Sequence, residues 1–283
     1  MSAPHTATRP PRTTPRLRVG PGHAHLWVIG GQGAGDHPER MATSDLDDRD
    51  LDDRDLDDRE RERAAAFVRP LDRLTYLMAH IALRRLLSVY TDIPPAQLPL
   101  GRDPCPCCGG PHGRPVLRGT PLHFSLSHSH GTALISIAAT PLGVDIQRVP
   151  TLQTTELCLP QLHPAERREL HAVPRGERPR AFGRLWTRKE AYLKGLGTGL
   201  GRPPHRDYLG ERTGPGAPAR PRGWHVQTLP SCPDHVAALA LAAPVDAPPP
   251  QIVARRLPTA CLSTGGATGR IAAEQHVCPH REE

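Results

Sequence analysis

The sequence has few aromatic residues and no long hydrophobic run. Phe, Trp and Tyr make up only 4% of the 283 residues, and no segment approaches the ~20 apolar residues of a membrane-spanning helix. The basic, proline-containing N-terminal segment also lacks the apolar stretch of a secretory signal peptide. We therefore expect a cytoplasmic protein without membrane association, whose seven cysteines are free thiols or metal ligands rather than disulfides.

Proline and glycine, by contrast, are abundant. The 34 Pro and 26 Gly residues predict loops and disordered ends around a compact centre rather than a regular helical bundle. The net charge of +7 is unevenly distributed. Residues 45–59 contain nine Asp and three Arg and carry −6, which leaves +13 on the rest of the chain.

The order of predicted elements, helix then strands and again helix then strands, indicates an α+β fold built from two α+β units. The expected parts are a disordered basic arm (1–22), an N-terminal half (23–140), a C-terminal half (141–243) and a disordered tail (244–283). Hydrophobic periodicity predicts strands at 25–29, 134–139, 144–147, 224–229 and 235–243 and helices near 74–86, 163–172 and 180–195, the last ended by Gly195 and Gly197.

The acidic segment at 45–59 is an insert in the N-terminal half, in which Asp-Leu-Asp-Asp-Arg occurs three times. Each repeat places an Asp four residues before an Arg, which supports a helix weakly. On a helix, however, leucines five residues apart are rotated by about 140°, so Leu46, Leu51 and Leu56 cannot form one buried stripe. We expect a solvent-exposed extension whose deletion leaves activity nearly unchanged.

Two segments could bind phosphate. Residues 30–35 are glycine-rich like a phosphate loop but lack the lysine that follows in such loops, so a flexible linker is favoured. Residues 124–129, Phe-Ser-Leu-Ser-His-Ser, lack the glycine-flanked serine of the hydrolase nucleophile turn. A phosphate-binding turn that presents Ser127 and His128 is the alternative.

Two carboxylates and a lysine form the strongest candidate site. Glu190 and Lys194 are four residues apart and share one face of the predicted helix, an arrangement that a simple surface ion pair would also explain. On the predicted strand 144–147, Asp145 and Gln147 point to the face opposite the apolar residues. One carboxylate from a strand and one from a helix could together hold a divalent cation against phosphate oxygens.

These segments resemble the two signature motifs of the 4′-phosphopantetheinyl transferase superfamily, and upstream segments resemble accessory motifs of its larger, surfactin-type branch. The resemblance covers roughly residues 60–245. The motifs that carry it are Gly143-Val144-Asp145, Trp186-Thr187-x-Lys189-Glu190-Ala191-x-x-Lys194, Gly113-Arg114-Pro115 and Phe124-Ser125-Leu126-Ser127-His128-Ser129.

The resemblance implies a monomer whose two similar halves, related by a pseudo-twofold, bind coenzyme A and Mg²⁺ in the cleft between them. Members of the family transfer 4′-phosphopantetheine from coenzyme A to a serine of an acyl or peptidyl carrier protein and release adenosine 3′,5′-bisphosphate. Which carrier protein or pathway this chain serves does not follow from the sequence.

The resemblance also implies roles for individual residues. Asp145 and Glu190 would be Mg²⁺ ligands, and Glu190 and Lys194 would be catalytic. Gln147 stands where many relatives carry an acid, so we expect weaker Mg²⁺ binding. The residues expected to bind coenzyme A are Arg63, Arg114, Ser127, His128, Lys189 and Lys194.

Cys105, Cys107, Cys108 and His112 form a cluster just before Arg114. One Cys-x-x-Cys pair and a histidine could supply three zinc ligands, but a second clear pair is missing, so a thiol-rich turn is favoured over a zinc site.

Two other functions remain as alternatives. A catalytically impaired homologue that binds coenzyme A and carrier proteins is suggested by Gln147. A nucleic-acid-binding protein is suggested by the basic charge, but the scarcity of aromatic residues for base stacking argues against it, and we expect no nucleic-acid partner.

Overall fold

The structure, a computed structural model, describes residues 17–30 and 48–263, and these form an α+β fold. The strands are β1 (His23–Gly30), β2 (Leu100–Arg102), β3 (Pro115–Leu117), β4 (His123–Ser129), β5 (Thr132–Ala138), β6 (Leu142–Arg148), β7 (Trp224–Leu229), β8 (His235–Ala242) and β9 (Gln251–Leu257). The α-helices are α1 (Asp58–Ala65), α2 (Pro70–Thr91), α3 (Leu152–Cys158), α4 (Pro164–Ala172) and α5 (Arg178–Leu196).

The N-terminal half is a four-stranded sheet in the order β4-β5-β1-β9, with α2 packed against it. Met78, Ile81 and Leu86 on α2 are completely buried, as the three-and-four spacing of apolar residues predicted. Strands β4 and β5 form a hairpin whose two turn residues, His130 and Gly131, both have positive φ, the backbone that two-residue hairpin turns require. Residues 124–129 therefore lie in a strand, and the expectation of a phosphate-binding turn is corrected.

Both ends of the described chain belong to this half. Strand β9 pairs in parallel with β1, so the expected disordered tail is corrected for residues 244–263. Leu17 is buried in the same core, which corrects the expected disordered arm for residues 17–22. Residues 1–16, 264–283 and the rest of the glycine-rich stretch, 31–35, lie outside the described residues.

The C-terminal half is a three-stranded sheet in the order β6-β8-β7, and α5 packs across it. The predicted strands at 144–147, 224–229 and 235–243 and the helices near 163–172 and 180–195 are confirmed. Gly197 ends α5 with a left-handed φ of 82°, which a glycine adopts at little cost. No helix within the described residues is long and apolar enough to cross a membrane.

The described part of the acidic repeat, residues 48–59, packs into the N-terminal core, which corrects the expectation of a solvent-exposed extension. Leu46 lies outside the described residues. Over residues 48–57 it forms two short 3₁₀ turns rather than one helix. The 140° rotation that separates leucines on an α-helix therefore does not apply, and Leu51 and Leu56 are both buried, 5% and 2% exposed. Asp52 and Asp55 pair with the buried guanidinium of Arg85, at 3.1 and 2.6 Å.

The end of the repeat also begins α1 and neutralises a second buried cation. The side chain of Asp57 accepts a hydrogen bond from Glu60 N, and the side chain of Glu60 accepts one from Asp57 N, which together make a capping box. The same two carboxylates pair with Arg84, which is only 1% exposed, at 2.7 and 2.6 Å. A cation without such partners would be costly to bury, so the aspartates of the repeat stabilise α2.

The two halves meet where β4 lies beside β6. Three serine hydroxyls on β4 accept hydrogen bonds from backbone N–H groups of β6, in place of a backbone ladder. The bonds join Val144 N to Ser125 Oγ (3.0 Å), Ile146 N to Ser127 Oγ (3.2 Å) and Arg148 N to Ser129 Oγ (3.1 Å). We call these three bonds the serine seam.

Candidate active site

Asp145 lies at the centre of the candidate site. It is on β6, is 7% exposed, and its Oδ1 accepts hydrogen bonds from Lys194 Nζ at 2.6 Å and from Ser127 Oγ at 2.8 Å. Lys194 Nζ also donates to Val144 O at 3.2 Å. The strand, the helix and the seam thus converge on one carboxylate.

A glycine allows α5 to approach β6 closely enough for these contacts. A Cβ atom at Gly143 would lie only 2.6 Å from Gly195 N and would also clash with Ala191 O. Any other residue at this position would therefore push α5 away and separate Lys194 from Asp145.

Glu190 faces the same site from one turn earlier on α5. Burial raises the pKa of Glu190, the negative charge of Asp145 raises it further, and the positive charge of Lys194 opposes both effects. Among the described residues, the carboxylate of Glu190 has no hydrogen-bond partner. Two partly buried carboxylates balanced by a single lysine leave an excess of negative charge, and such a donor set fits a hard divalent cation such as Mg²⁺.

A cleft of about 340 Å³ lies between the two halves beside this site, and it brings together three of the predicted residues, Arg114, His128 and Lys194. Arg114 donates to Gly195 O at 3.1 Å and pairs with Asp103 at 3.3 Å. Its Nε is buried without a partner among the described residues. This orphaned N–H donor and the surrounding cations suit an anionic ligand.

His128 is mostly buried in the wall of this cleft. Burial lowers its pKa, and the nearby cationic groups His80 and Lys194 lower it further. An anionic ligand would reverse the electrostatic part of this effect, because a nearby negative charge favours the protonated imidazole.

Sequence reasoning missed several cationic groups near the cleft. His80 and Arg102 line it, and an adjoining cavity of about 510 Å³ shares both residues and adds Arg59 and Arg118. None of these residues belongs to a recognisable motif. Their common location depends on α1, α2, β2 and β3 all contributing to the wall of one cavity, which local spacing does not show.

Three predicted coenzyme A contacts, Arg63, Ser127 and Lys189, do not line the cleft. The hydroxyl of Ser127 instead bonds to Ile146 N and to Asp145 on β6. Lys189 is 2% exposed, and its Nζ pairs with Glu166 at 2.8 Å and donates to Pro204 O and Asp207 O. We therefore correct its assignment from cofactor binding to a buried structural ion pair. Arg63 is exposed on α1, and its contact with coenzyme A stays a prediction.

Comparison with known proteins gives the family of the chain. Residues 141–240 match the model of the 4′-phosphopantetheinyl transferase superfamily. The chain is 30% identical over 192 residues to the 4′-phosphopantetheinyl transferase HetI of Nostoc sp.. The aligned region covers 66% of this chain and 73% of HetI. The chain belongs to this superfamily.

Other curated relatives match over a shorter part of their length. The chain is 33% identical over 147 residues to the Synechocystis protein slr0495, covering 50% of this chain and 56% of that protein. It is 27% identical over 145 residues to the 4′-phosphopantetheinyl transferase Sfp of Bacillus subtilis, covering 51% of this chain and 61% of Sfp. The chain thus spans just over half the length of these two relatives.

Proposed function

We propose that this protein transfers 4′-phosphopantetheine from coenzyme A to a serine of an acyl or peptidyl carrier protein, with Mg²⁺, and releases adenosine 3′,5′-bisphosphate. The observation that carries the proposal is the convergence of Asp145, Glu190 and Lys194 at the edge of a cation-lined cleft. Membership of the superfamily supports the same reaction.

Coenzyme A is the ligand that the cleft suits. Its 3′-phosphate and pyrophosphate are anionic, and Arg102, Arg114, His128 and Lys194 lie around the cleft. Phosphoryl transfer depends mainly on positioning and charge neutralisation, and these side chains supply both. The Nε–H of Arg114 has no hydrogen-bond partner within the part of the chain that the structure describes, and Lys194 is held near its working position by Asp145.

Asp145 and Glu190 would hold the metal ion, and Gln147 lies two residues after Asp145 on the same face of β6. Bound there, Mg²⁺ would neutralise charge on the pyrophosphate of coenzyme A. Glu190 would accept the proton of the carrier serine hydroxyl, directly or through a water molecule. Lys194 would stabilise the negative charge that develops on the leaving adenosine 3′,5′-bisphosphate.

The proposal includes the architecture and partners that the reaction needs. Two α+β halves related by a pseudo-twofold would place coenzyme A between them in a monomer. The body of the chain outside the acidic repeat is strongly basic, which suits docking of a carrier domain with an acidic surface.

The test is transfer by the full chain to a panel of apo carrier domains from fatty acid, polyketide and nonribosomal peptide synthesis. We expect Mg²⁺-dependent addition of phosphopantetheine, measured by intact mass, and its loss in Asp145→Asn and Glu190→Gln. The control Glu156→Gln alters an ion pair with Arg178 outside the cleft and should leave transfer unchanged. Coenzyme A binding without transfer to any carrier would instead identify an impaired homologue, and full activity of Asp145→Asn would overturn the site.

Gln147 provides a separate test of the metal site. A neutral amide is a weaker Mg²⁺ ligand than a carboxylate, so Gln147→Glu should lower the Mg²⁺ concentration needed for half-maximal transfer. An unchanged or higher concentration in the variant would show that Gln147 does not face the bound metal.

A further inference from the structure

A second cluster of metal-ligating side chains lies in the loop that joins β2 to β3. Cys105, Cys108 and His112 each offer one ligand atom, and the three atoms lie within 4.8 Å of one another. Cys108 Sγ is 3.0 Å from His112 Nε2. Cys105 is buried, whereas Cys108 and His112 are exposed, so the cluster opens to solvent on one side. None of these residues takes part in the chemistry proposed above.

The backbone of the loop is already folded around the three side chains. Gly109 N and Cys108 N donate to Cys105 O at 2.7 and 3.3 Å, and Cys105 N donates to Gly110 O at 2.7 Å. Gly109 has a φ of +72°, a conformation that glycine adopts without strain. These bonds form a tight turn over Cys-x-x-Cys-Gly that holds the two thiols together.

Glycine also allows the histidine to reach the thiols. A Cβ atom at Gly110 would lie 3.0 Å from His112 Cδ2 and 3.4 Å from Cys108 Sγ. At the base of the loop, Gly113 N donates to Asp103 O and Asp103 N donates to Arg114 O, at 3.0 and 2.9 Å. Backbone hydrogen bonds and glycines thus bring the three ligand atoms together.

We propose that Cys105, Cys108 and His112 bind one zinc ion, distinct from the Mg²⁺ of the active site. Two thiolates and one imidazole are soft and borderline ligands that suit zinc and not Mg²⁺, which takes oxygen ligands. Water completes the tetrahedron on the exposed side of the cluster. The neighbouring Cys107 is exposed, and its sulfur is not part of the group.

The zinc site would order one wall of the substrate cleft. His112, Gly113 and Arg114 all line that cleft, and Arg102 donates to Gly113 O at 2.9 Å. A metal that ties His112 to the turn at Cys105 therefore fixes the segment that carries Arg114. The zinc acts as a structural clip beside the coenzyme A site.

The test is the metal content of the full chain, expressed in zinc-supplemented medium and purified without a metal-affinity tag or chelator. Elemental analysis should find about one zinc per chain in the wild type, in keeping with a single site. Cys108→Ser and His112→Ala should each lose most of it, whereas the matched control Cys107→Ser should retain it. Circular dichroism identifies any variant that fails to fold.

A second measurement does not depend on variants. After zinc is removed with a chelator, Co²⁺ should bind to the wild-type chain and give tetrahedral visible bands with thiolate charge-transfer absorption. Zinc should then displace the Co²⁺ and abolish the spectrum.

Several results would overturn the proposal. One is a wild-type chain that takes up neither zinc nor Co²⁺. This outcome includes a chain whose mass under non-reducing conditions is lower by two hydrogens, which indicates a disulfide in place of a metal site. Undiminished zinc in both Cys108→Ser and His112→Ala would place the metal elsewhere. Loss of zinc from Cys107→Ser would overturn the three-residue ligand set.

Discussion

Replacing Lys189 by methionine separates the role that its motif position predicted from the role that the structure gives it. All the hydrogen bonds of its ammonium go to protein groups: Glu166 Oε2 at 2.8 Å, Pro204 O at 2.9 Å and Asp207 O at 2.8 Å. Burial lowers the pKa of Lys189, and Glu166 opposes that effect. Methionine retains much of the volume but leaves the Glu166 carboxylate, 0% exposed, without its cation.

The expected loss of folding stability is large. Breaking a buried ion pair by removing one partner destabilises a protein by about 3–5 kcal/mol. At roughly 2–4 °C per kcal/mol for a domain of 150–250 residues, the melting temperature should fall by roughly 6–20 °C. Two backbone donors, His163 N and Leu209 N, would still bind the Glu166 carboxylate, which favours the lower part of that range.

Thermal denaturation and steady-state kinetics on the same variant distinguish a structural role of Lys189 from a role in coenzyme A binding. We expect a lower melting temperature with a nearly unchanged KM for coenzyme A at a temperature where the variant is folded. The double variant Lys189→Met/Glu166→Gln should recover part of the lost stability, with an interaction energy between the two positions of about 0.5–3 kcal/mol. The exposed-site control Arg175→Met should change stability by less than about 0.5 kcal/mol. An unchanged melting temperature with a much higher KM would refute the structural role and restore the cofactor contact.

Three further predictions concern charge, core packing and the serine seam. Burial and the charge of Asp145 raise the pKa of Glu190 above its usual value of 4.5, so the ionised form of Glu190 opposes folding. Without bound metal, the free energy of unfolding should therefore fall as pH rises above 4.5. Glu190→Gln should therefore have a higher melting temperature than the wild type at pH 7, and the difference should shrink as pH falls. A difference in melting temperature that stays constant over a pH series would contradict this. Leu56→Ala should lower the free energy of unfolding by about 2–5 kcal/mol, measured by urea denaturation. A change near zero would show that the repeat is solvent-exposed. Ser127→Ala should raise the Mg²⁺ concentration needed for half-maximal transfer. Ser129→Ala removes another bond of the serine seam at a residue that does not line the cleft, and it should leave this concentration unchanged; equal effects would refute a specific role for the bond between Ser127 and Asp145.

The sequence predicted the parts of the site that local spacing determines. Strand period 2 placed Asp145 opposite the apolar residues, and helix period 3.6 placed Glu190 and Lys194 on one face. The same helix geometry also argues against a shared role for Lys189 and Glu190. Adjacent helical residues are rotated by about 100°, so one faces the cleft while the other faces the core. A resemblance that treats the motif as a unit overlooks this difference.

The parts that the sequence did not predict depend on contacts between distant residues. Leu51 and Leu56 are buried because Arg84 and Arg85 on α2 pair with the aspartates between and beside them. Strand β9 exists because its backbone pairs with β1, more than two hundred residues away in the chain. Neither partner is visible in the composition of the segment itself, which is acidic in one case and flanked by prolines in the other.

Strand β4 connects these observations with the proposed chemistry. The serines at 125, 127 and 129 bond to β6, whereas Phe124, Leu126 and His128 line the cleft together with Ser125. Ser127 lies where both functions meet, because its hydroxyl accepts from Ile146 N and donates to Asp145. Because the proposed Mg²⁺ would neutralise charge on the pyrophosphate, coenzyme A and Mg²⁺ should bind with positive coupling. Ser127→Ala should weaken that coupling while leaving the cleft in place, because it removes the bond that joins β4 to Asp145.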